Sequence, residues 1–419
     1  MKNFNNIGAT LLSGFKAHLS TISKVAVFGV AIPFSLAVHA DSDIKVGAIF
    51  DLTGGLNIYG IQQSRAMHLA IDELNANGGV LGKQAEIVEY DSQSELSKYT
   101  VYTKTLTLKD KADVLFAGLT SSSREAIRPL VRKAKIPYFY SSLYEGGACD
   151  KYTFVTGASA SQQMSVLIEW AIKNHGKRIF VMAPKYNFGT ISAHWVKLYA
   201  EQFGGEVVTS EFIPLTVTDY SSTIQKIQAV KPDFVVALPV GANQTGFLEQ
   251  YAAAGMKEKA PIVSTNYGSG NQQVVVSKDT GEGIIASQQY FMWIDEPKNK
   301  EFVAKWKAKY GLDEPIVSGA VDVWNAVNLW AKAVEKAGTT DSDKVIAALE
   351  SGLSFDAPNG LVKMLPGSHH LSQNIYIVKG DRNHGFETIE TYPDVAPAYE
   401  NEVCDLVQKP KTKKHFVPI

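Results

Sequence analysis

The sequence predicts an α/β fold with two lobes, each a parallel sheet covered by helices on both faces. Three observations carry this prediction. Short strands alternate with helical segments along most of the chain, those strands are apolar throughout, and the alternation runs as two similar series. Length agrees, since 419 residues exceed what one hydrophobic core usually organises.

The first series opens with a strand over 44–50 and a glycine-rich turn over 51–60. A helix follows in which Ala66, Leu69, Ala70, Ile71 and Leu74 recur at helical spacing, stopped by Asn77, Gly78 and Gly79. The cycle then repeats as strand 85–90, helix 95–108, strand 114–117, helix 124–133 and strand 137–140. The second series reads helix 162–174, strand 179–182, helix 191–203, strand 206–212, helix 221–230, strand 234–238, helix 245–254 and strand 262–264. A strand over 284–290 and helices near 300–310, 317–337 and 344–351 come next. Beyond residue 360 the chain reads as strands, with 375–378 the clearest. No low-complexity linker separates the halves, so several short crossings between lobes are expected.

Residues 25–40 form an apolar run ending in small residues after Lys2, Lys16 and Lys24, the pattern of a secretory signal. The rival reading, a membrane anchor, wants about 18 or more uninterrupted apolar residues. Pro33, Ser35 and His39 interrupt this run. No cysteine follows it, which speaks against a lipid-anchored start. The mature chain is expected to begin near Asp41 and to work free in a periplasm, with no membrane insertion after signal removal.

Removing the first forty residues takes three lysines from 41 basic residues and no acid from 42, leaving 38 against 42. Nucleic-acid binding needs clustered Lys and Arg. The one notable basic cluster, 409–414, sits at the end and is expected to be a frayed, solvated tail. Cys149 and Cys404 are the only cysteines. In an oxidising compartment a bridge between them is expected, tying the tail to the middle of the chain, with two free thiols as the alternative. Two cysteines cannot make a structural zinc site, and no helical His-x-x-x-His pair supports a metal. No metal and no cofactor are expected.

Open parallel sheets bind ligands beyond the carboxyl ends of their strands. Four turns lie there: 51–60, 118–123, 140–146 and 184–189. The run Thr120, Ser121, Ser122, Ser123 precedes a helix, so its hydroxyls and free backbone N–H groups can meet a carbonyl or carboxylate oxygen. Ordinary N-capping needs one such residue, and four exceed that need. Tyrosines in these turns add flat walls with a polar tip. Phosphate cradles of the G-x-G-x-x-G or G-x-x-x-x-G-K-[ST] type are absent, and no G-x-S-x-G elbow comes with a histidine and an acid in order. His369 and His370 are expected to be surface residues pointing apart along a strand. No catalytic residue is expected.

Several motifs together resemble the substrate-binding proteins of branched-chain amino acid type ABC transporters. They are Asp51-Leu-Thr-Gly with Tyr59-Gly60, Ala70-Ile-Asp-Glu-Leu-Asn-Ala-Asn-Gly-Gly-Val-Leu-Gly82, Gly118-Leu-Thr-Ser-Ser-Ser123, Tyr144-Glu-Gly146 and Phe355-Asp-Ala-Pro-Asn-Gly360. The resemblance covers nearly the whole mature chain. The Tyr-Glu-Gly after Tyr140-Ser-Ser-Leu, the Lys185-Tyr186 turn and the 214–219 stretch look most like the amide and urea binding branch.

The resemblance implies a two-lobed type I periplasmic binding fold with a three-stranded hinge. The signal would span 1–40, lobe one 41–158 plus 290–360, lobe two 159–289 plus 361–395, and the tail 396–419. Ser121 would correspond to the family's ligand-contacting serine, with Thr120 beside it. Tyr140 and Ser142 fall where the amide branch has an aromatic wall and a hydroxyl, Tyr186 on its second-lobe aromatic, and Tyr59 on a first-turn residue that closes over the ligand. Amino acid binders carry an acid beyond strand 234–238 to pair the ammonium. Here that segment reads Val240-Gly-Ala-Asn243-Gln244, so no carboxylate is offered. Burying an ammonium without a counter-charge is costly, which favours a neutral, amide-like solute. Leu119 replaces an aromatic common in the amide branch, so the pocket shape is expected to differ.

The expected function is capture of a small polar solute, amide, urea or amino-acid-like, for delivery to an ABC permease. A ligand-sensing module of a receptor or regulator is the alternative from another class, and an amide hydrolase the third.

Overall fold

The computed structural model describes residues 44–311 and 314–418. The segment read as a secretory signal lies outside them. The first series is β1 (Ile44–Phe50), α1 (Asn57–Ala76), β2 (Ala85–Asp91), α2 (Leu96–Lys104) with a π-helical continuation over Thr105–Asp110, β3 (Val114–Ala117), α3 (Ser121–Ala134), β4 (Tyr138–Tyr140), β5 (Ala148–Asp150) and β6 (Thr153–Val155). Five of these strands form a parallel sheet in the order β2-β1-β3-β4-β6.

The second series is α4 (Ala160–His175), β7 (Arg178–Pro184), α5 (Asn187–Gln202), β8 (Glu206–Ile213), α6 (Ser221–Val230), β9 (Phe234–Ala237), α7 (Ala242–Ala253), β10 (Ile262–Ser264), the short helices α8 (Gln272–Val275) and α9 (Lys278–Gly281), and β11 (Ile285–Gln288). Three helices follow, α10 (Pro297–Tyr310), α11 (Ser318–Ala337) and α12 (Ser342–Leu349). The chain ends in β12 (Ser354–Ala357), β13 (Gly360–Met364), β14 (Leu371–Gly380), β15 (Phe386–Val395), α13 (Ala398–Val403) and β16 (Lys413–His415). The second sheet runs β12-β13-β14-β11-β10-β9-β7-β8, with β15 paired to β14. Its β8-β7-β9-β10-β11 part is parallel, and β11 to β15 pair antiparallel.

Apolar side chains on both faces explain why these strands lack alternation. Along β7, Ile179 and Val181 join a core with Leu167 of α4 and Val196 of α5, while Phe180 and Met182 face Ile224 of α6 and Phe247 of α7. On the first sheet α11 lies against α1, and its Trp330 meets Phe116 of β3 edge-on, with centroids 6.4 Å apart. These facts give the α/β type I periplasmic binding architecture with parallel-sheet lobes.

Helix starts differ from the sequence expectation in one way that matters. Tyr59 and Gly60, read as part of a turn, belong to the first turn of α1. A Cβ at residue 60 would lie 2.3 Å from the Asp51 carbonyl oxygen, so only glycine lets the helix begin this close to the end of β1. The strands β5 and β6 were not anticipated.

The chain leaves the first sheet after β6, returns to its side after β11, where α11 packs on α1, and joins the second sheet again at β12. Buried polar side chains tie these passages together. Thr156 Oγ1 donates to the Asp322 carbonyl at 2.9 Å, Asn325 Nδ2 to Asn359 Oδ1 at 2.9 Å, Asn359 Nδ2 to Gln373 Oε1 at 3.1 Å, and Gln373 Nε2 to the Thr156 carbonyl at 3.3 Å. Asp322 itself is fully buried, with Gln289 Nε2 at 2.9 and 2.7 Å from its two carboxylate oxygens. Burial holds its carboxyl well above the usual aspartate range, against the opposing effect of the Gln289 bonds.

A raised folded pKa has a definite consequence for stability. The contribution is full while the carboxyl is protonated, below the unfolded value of about 3.9, and is lost as pH rises through the folded value. Asp322→Asn is expected to stabilise the fold by about 1 kcal/mol or more, because an uncharged amide removes the cost of burying a carboxylate. Melting curves should show a larger gain at pH 8 than at pH 5, and a gain that does not grow with pH refutes this account.

His369 and His370 correct the sequence reading, because both are buried. They sit in the connection from β13 to β14, where residue 370 bridges to Val155 and residue 369 takes a φ of 58°. The His369 ring stacks on Phe154 at 4.3 Å, with Nε2 2.9 Å from Glu350 Oε1. His370 pairs with the Tyr144 hydroxyl and the Ser368 carbonyl, and burial pushes its pKa down to about 3.

The basic tail is a second correction. Lys409, Lys411, Lys413 and Lys414 are exposed, but the segment is not frayed, since β16 pairs antiparallel with β5. Cys149 and Cys404 form a disulfide that closes this corner, their Cα atoms 5.7 Å apart.

Candidate binding site

Beyond the carboxyl ends of the parallel strands lies a cavity of about 90 Å³, measured as the room open to the centre of a water-sized sphere. That is several times the ~10–15 Å³ one water needs. Four helices begin at it. Leu56 caps α1 and Tyr59 lies in its first turn, Thr120 caps α3, Tyr186 caps α5 and Val317 caps α11. Each start leaves backbone N–H groups without helical partners, so the cavity collects the positive ends of several helices.

Six of the seven ligand-contact residues expected from sequence share this cavity: Tyr59, Thr120, Ser121, Tyr140, Ser142 and Tyr186. Asn243 does not. Its amide donates to the Val217 carbonyl at 2.7 Å and the Tyr220 hydroxyl at 3.1 Å. Val240, three residues earlier, lines the cavity in its place.

The hydroxyl run at α3 divides its work. Thr120 is the N-cap, its Oγ1 accepting from the Ser123 N–H at 3.2 Å. Ser121, 3% exposed, donates to Glu145 Oε2 at 2.5 Å. Glu145 and Arg124 form an ion pair at 2.7 Å with no solvent exposure on either side chain. Burial pushes the Glu145 carboxyl up, but the Arg124 charge and the hydrogen bonds outweigh it and leave the group below its usual range. The Arg124 guanidinium also lies 5.2 Å from the Tyr140 ring and 4.6 Å from that of Tyr144.

Tyr59 spans the two sides. Its hydroxyl accepts from the Gly241 N–H and from Gln272 Nε2, both at 3.0 Å. Trp195 of α5 reaches the Glu145 carbonyl at 2.8 Å, a second link across the cleft. Tyr140 donates to the Leu119 carbonyl at 2.7 Å, and burial raises the pKa of both Tyr140 and Tyr186, so the hydroxyls stay protonated. None of the lining side chains is an acid or a base other than tyrosine.

The periplasmic binding protein family model matches residues 43–385. The chain belongs to the periplasmic binding protein family. Among its relatives, the leucine-, isoleucine-, valine-, threonine- and alanine-binding protein of Pseudomonas aeruginosa is 27% identical over 349 residues, 81% of this chain and 89% of that one. A Leu/Ile/Val-binding protein homolog of Brucella melitensis is 23% identical over 85% of this chain and 92% of its own length. An ABC transporter solute-binding protein from Rhodopseudomonas palustris, solved with 3,4-dihydroxybenzoic acid, superimposes with a TM-score of 0.76 at 25% identity, covering 85% of this chain and 99% of that structure.

The chain is thus a binding protein and not an enzyme. The family implies a permease as partner. Among the described residues no helix is long and apolar enough to cross a membrane.

Sequence reasoning missed several residues of the binding protein's cavity. Gln63 follows Tyr59 by one helical turn and shares its face, a signal available once the helix start is placed. Asn266 and Ser269 follow β10, where the strand-end rule applies as it did to the four chosen turns. Ser318 opens α11, and nothing local to its sequence marks it.

Proposed function

We propose that this binding protein closes two lobes over a small polar solute that lacks an ammonium group and hands it to the permease of an importer. Lobe one comprises 41–158 and 290–360, lobe two 159–289 and 361–395, and the signal over 1–40 delivers the protein to the periplasm. One observation carries the reading: the cavity wall offers no carboxylate. An ammonium would lose its hydration there for neutral hydrogen bonds alone, which do not compensate.

Amides and ureas are the first class. Their carbonyl suits the helix starts, and their N–H groups suit hydroxyl oxygens. A second reading, a single-ring aromatic acid, is supported by the apolar side chains Leu119, Phe188, Leu215 and Val240 in the wall and by the likeness to the protein solved with 3,4-dihydroxybenzoic acid. Micromolar capture of either needs about 8 kcal/mol, within reach of a few satisfied polar contacts and aromatic enclosure.

Thermal shift of the mature protein with acetamide, urea, benzamide, 3,4-dihydroxybenzoate and leucine tests the proposal. A ligand of the native state at 100 times its Kd adds about 2.7 kcal/mol of stability. An amide or the ring acid is expected to raise Tm, and leucine to leave it unchanged. A shift by leucine alone overturns the reading.

A further inference from the structure

Several polar side chains of the cavity wall share one sense of hydrogen bonding. Ser121 gives its proton to Glu145 Oε2. The direction is fixed, because the carboxylate beside the fully buried Arg124 has no proton to return. Tyr140 gives its proton to the Leu119 carbonyl at 2.7 Å, Ser318 to Gln288 Oε1 at 2.8 Å, and Ser269 to the Asn266 carbonyl at 2.7 Å. Gln63 Nε2 donates to the Ser141 carbonyl at 2.7 Å, which sets the orientation of that amide.

Gln63 Oε1 is then left buried with no partner, in a side chain 1% exposed that lines the cavity. A buried acceptor without a donor is unfavourable until something supplies one. Ser121, Tyr140, Ser318 and Ser269 have thus spent their one hydroxyl proton, and Gln63 adds an unpartnered oxygen beside its second amide N–H. The donors that remain are the Tyr59 and Tyr186 hydroxyls, the second Gln63 amide N–H, and the backbone N–H groups at the starts of α3, α5 and α11.

We propose that this wall reads hydrogen-bond donors: Gln63 and Ser121 are specificity-determining acceptors, and the solute turns an N–H or O–H group toward α1 and α3. Glu145 is the positioning residue that fixes the polarity of Ser121. The inference rests on the solute class proposed above and sharpens it. A primary carboxamide, a urea or a hydroxylated ring satisfies the wall, while a bare carboxylate turned to these oxygens meets lone pairs. A site built around such bonds rejects an isostere that lacks the donor, because its own buried groups then go unpaired.

Calorimetry with two isosteric pairs tests this, benzamide against acetophenone and 4-hydroxybenzoate against 4-fluorobenzoate. The donor-bearing member is expected to bind at least tenfold tighter. Gln63→Met and Ser121→Ala should each reduce the benzamide-to-acetophenone ratio at least threefold. Glu145→Gln can donate to Ser121 and release the serine proton to the cavity, so acetophenone should gain affinity and the ratio should collapse. A merely structural role for Glu145 would weaken both probes alike. Equal binding of the paired probes by the unaltered protein overturns the donor reading and leaves the solute class standing. Failure of all four probes to bind overturns both.

Discussion

Glu145→Ala is expected to destabilise the protein by about 3–5 kcal/mol, the cost of leaving one partner of a buried ion pair uncompensated. Arg124 and Glu145 have no exposed side-chain surface and meet at 2.7 Å. Without the carboxylate, the guanidinium keeps Glu125 at 3.0 Å, a partner one-third exposed, and the faces of Tyr140 and Tyr144. Its Nη1 already lacks an acceptor. Neither the rim carboxylate nor the rings replace a fully desolvated counter-charge. Urea denaturation of Glu145→Ala, Arg124→Met and the double variant measures the effect. The double variant should cost less than the sum of the two, because removing both charges leaves none buried. Additive losses, or a Glu145→Ala variant as stable as the parent, would show that the pair is not coupled.

The fold was legible because its determinants are local and periodic. Every strand of β7 or β9 type is a short run apolar on both faces, and the longer helices between them carry an apolar stripe, so length and spacing together told strand from helix. The cavity was partly legible for a different reason. Parallel strands place their carboxyl-end turns together, so Thr120, Ser121, Tyr140, Ser142 and Tyr186 meet because of topology, without any pairing signal between them.

What stayed hidden depends on contacts remote in sequence. Asn243 had the right position but not the right neighbours, since Val217 and Tyr220 claim its amide. His369 and His370 looked like a surface pair until the connection from β13 to β14 placed them beside Phe154 and Tyr144. Glu145 lies within the Tyr144-Glu-Gly146 motif, yet its role depends on Arg124, which sits on another element. The lysines of the tail do project into water, but the backbone between them is held by β5, which no composition rule could have named.

Breaking the disulfide with Cys404→Ser is expected to cost about 2–4 kcal/mol, and the loss should begin at the tail rather than in either sheet. The bridge closes 255 residues of chain, so the unfolded state gains much freedom when it is cut. How much of that gain is measured depends on what else holds the tail. Glu400 is buried and accepts from Ser161 at 2.6 Å, Gly147 at 3.0 Å and Ser159 at 3.1 Å. Arg128 donates to the Lys414 carbonyl at 2.8 Å, and Tyr399 packs edge-on against Trp195 at 4.9 Å.

If these contacts were weaker than the bridge, residues 398–415 would open locally before the domain unfolds, and hydrogen exchange there would rise more than Tm falls. The opening should also reach the cavity. His415 Nε2 lies 2.8 Å from the Gly146 carbonyl and 3.4 Å from Glu145 Oε1, so a loosened β16 frees the segment that carries the Ser121 partner. The variant, and the parent under reductant, are therefore expected to lose thermal stability and solute affinity together. Parent protein that keeps its Tm and its exchange pattern after reduction would show that the strand pairing and Glu400 hold this corner without the bridge.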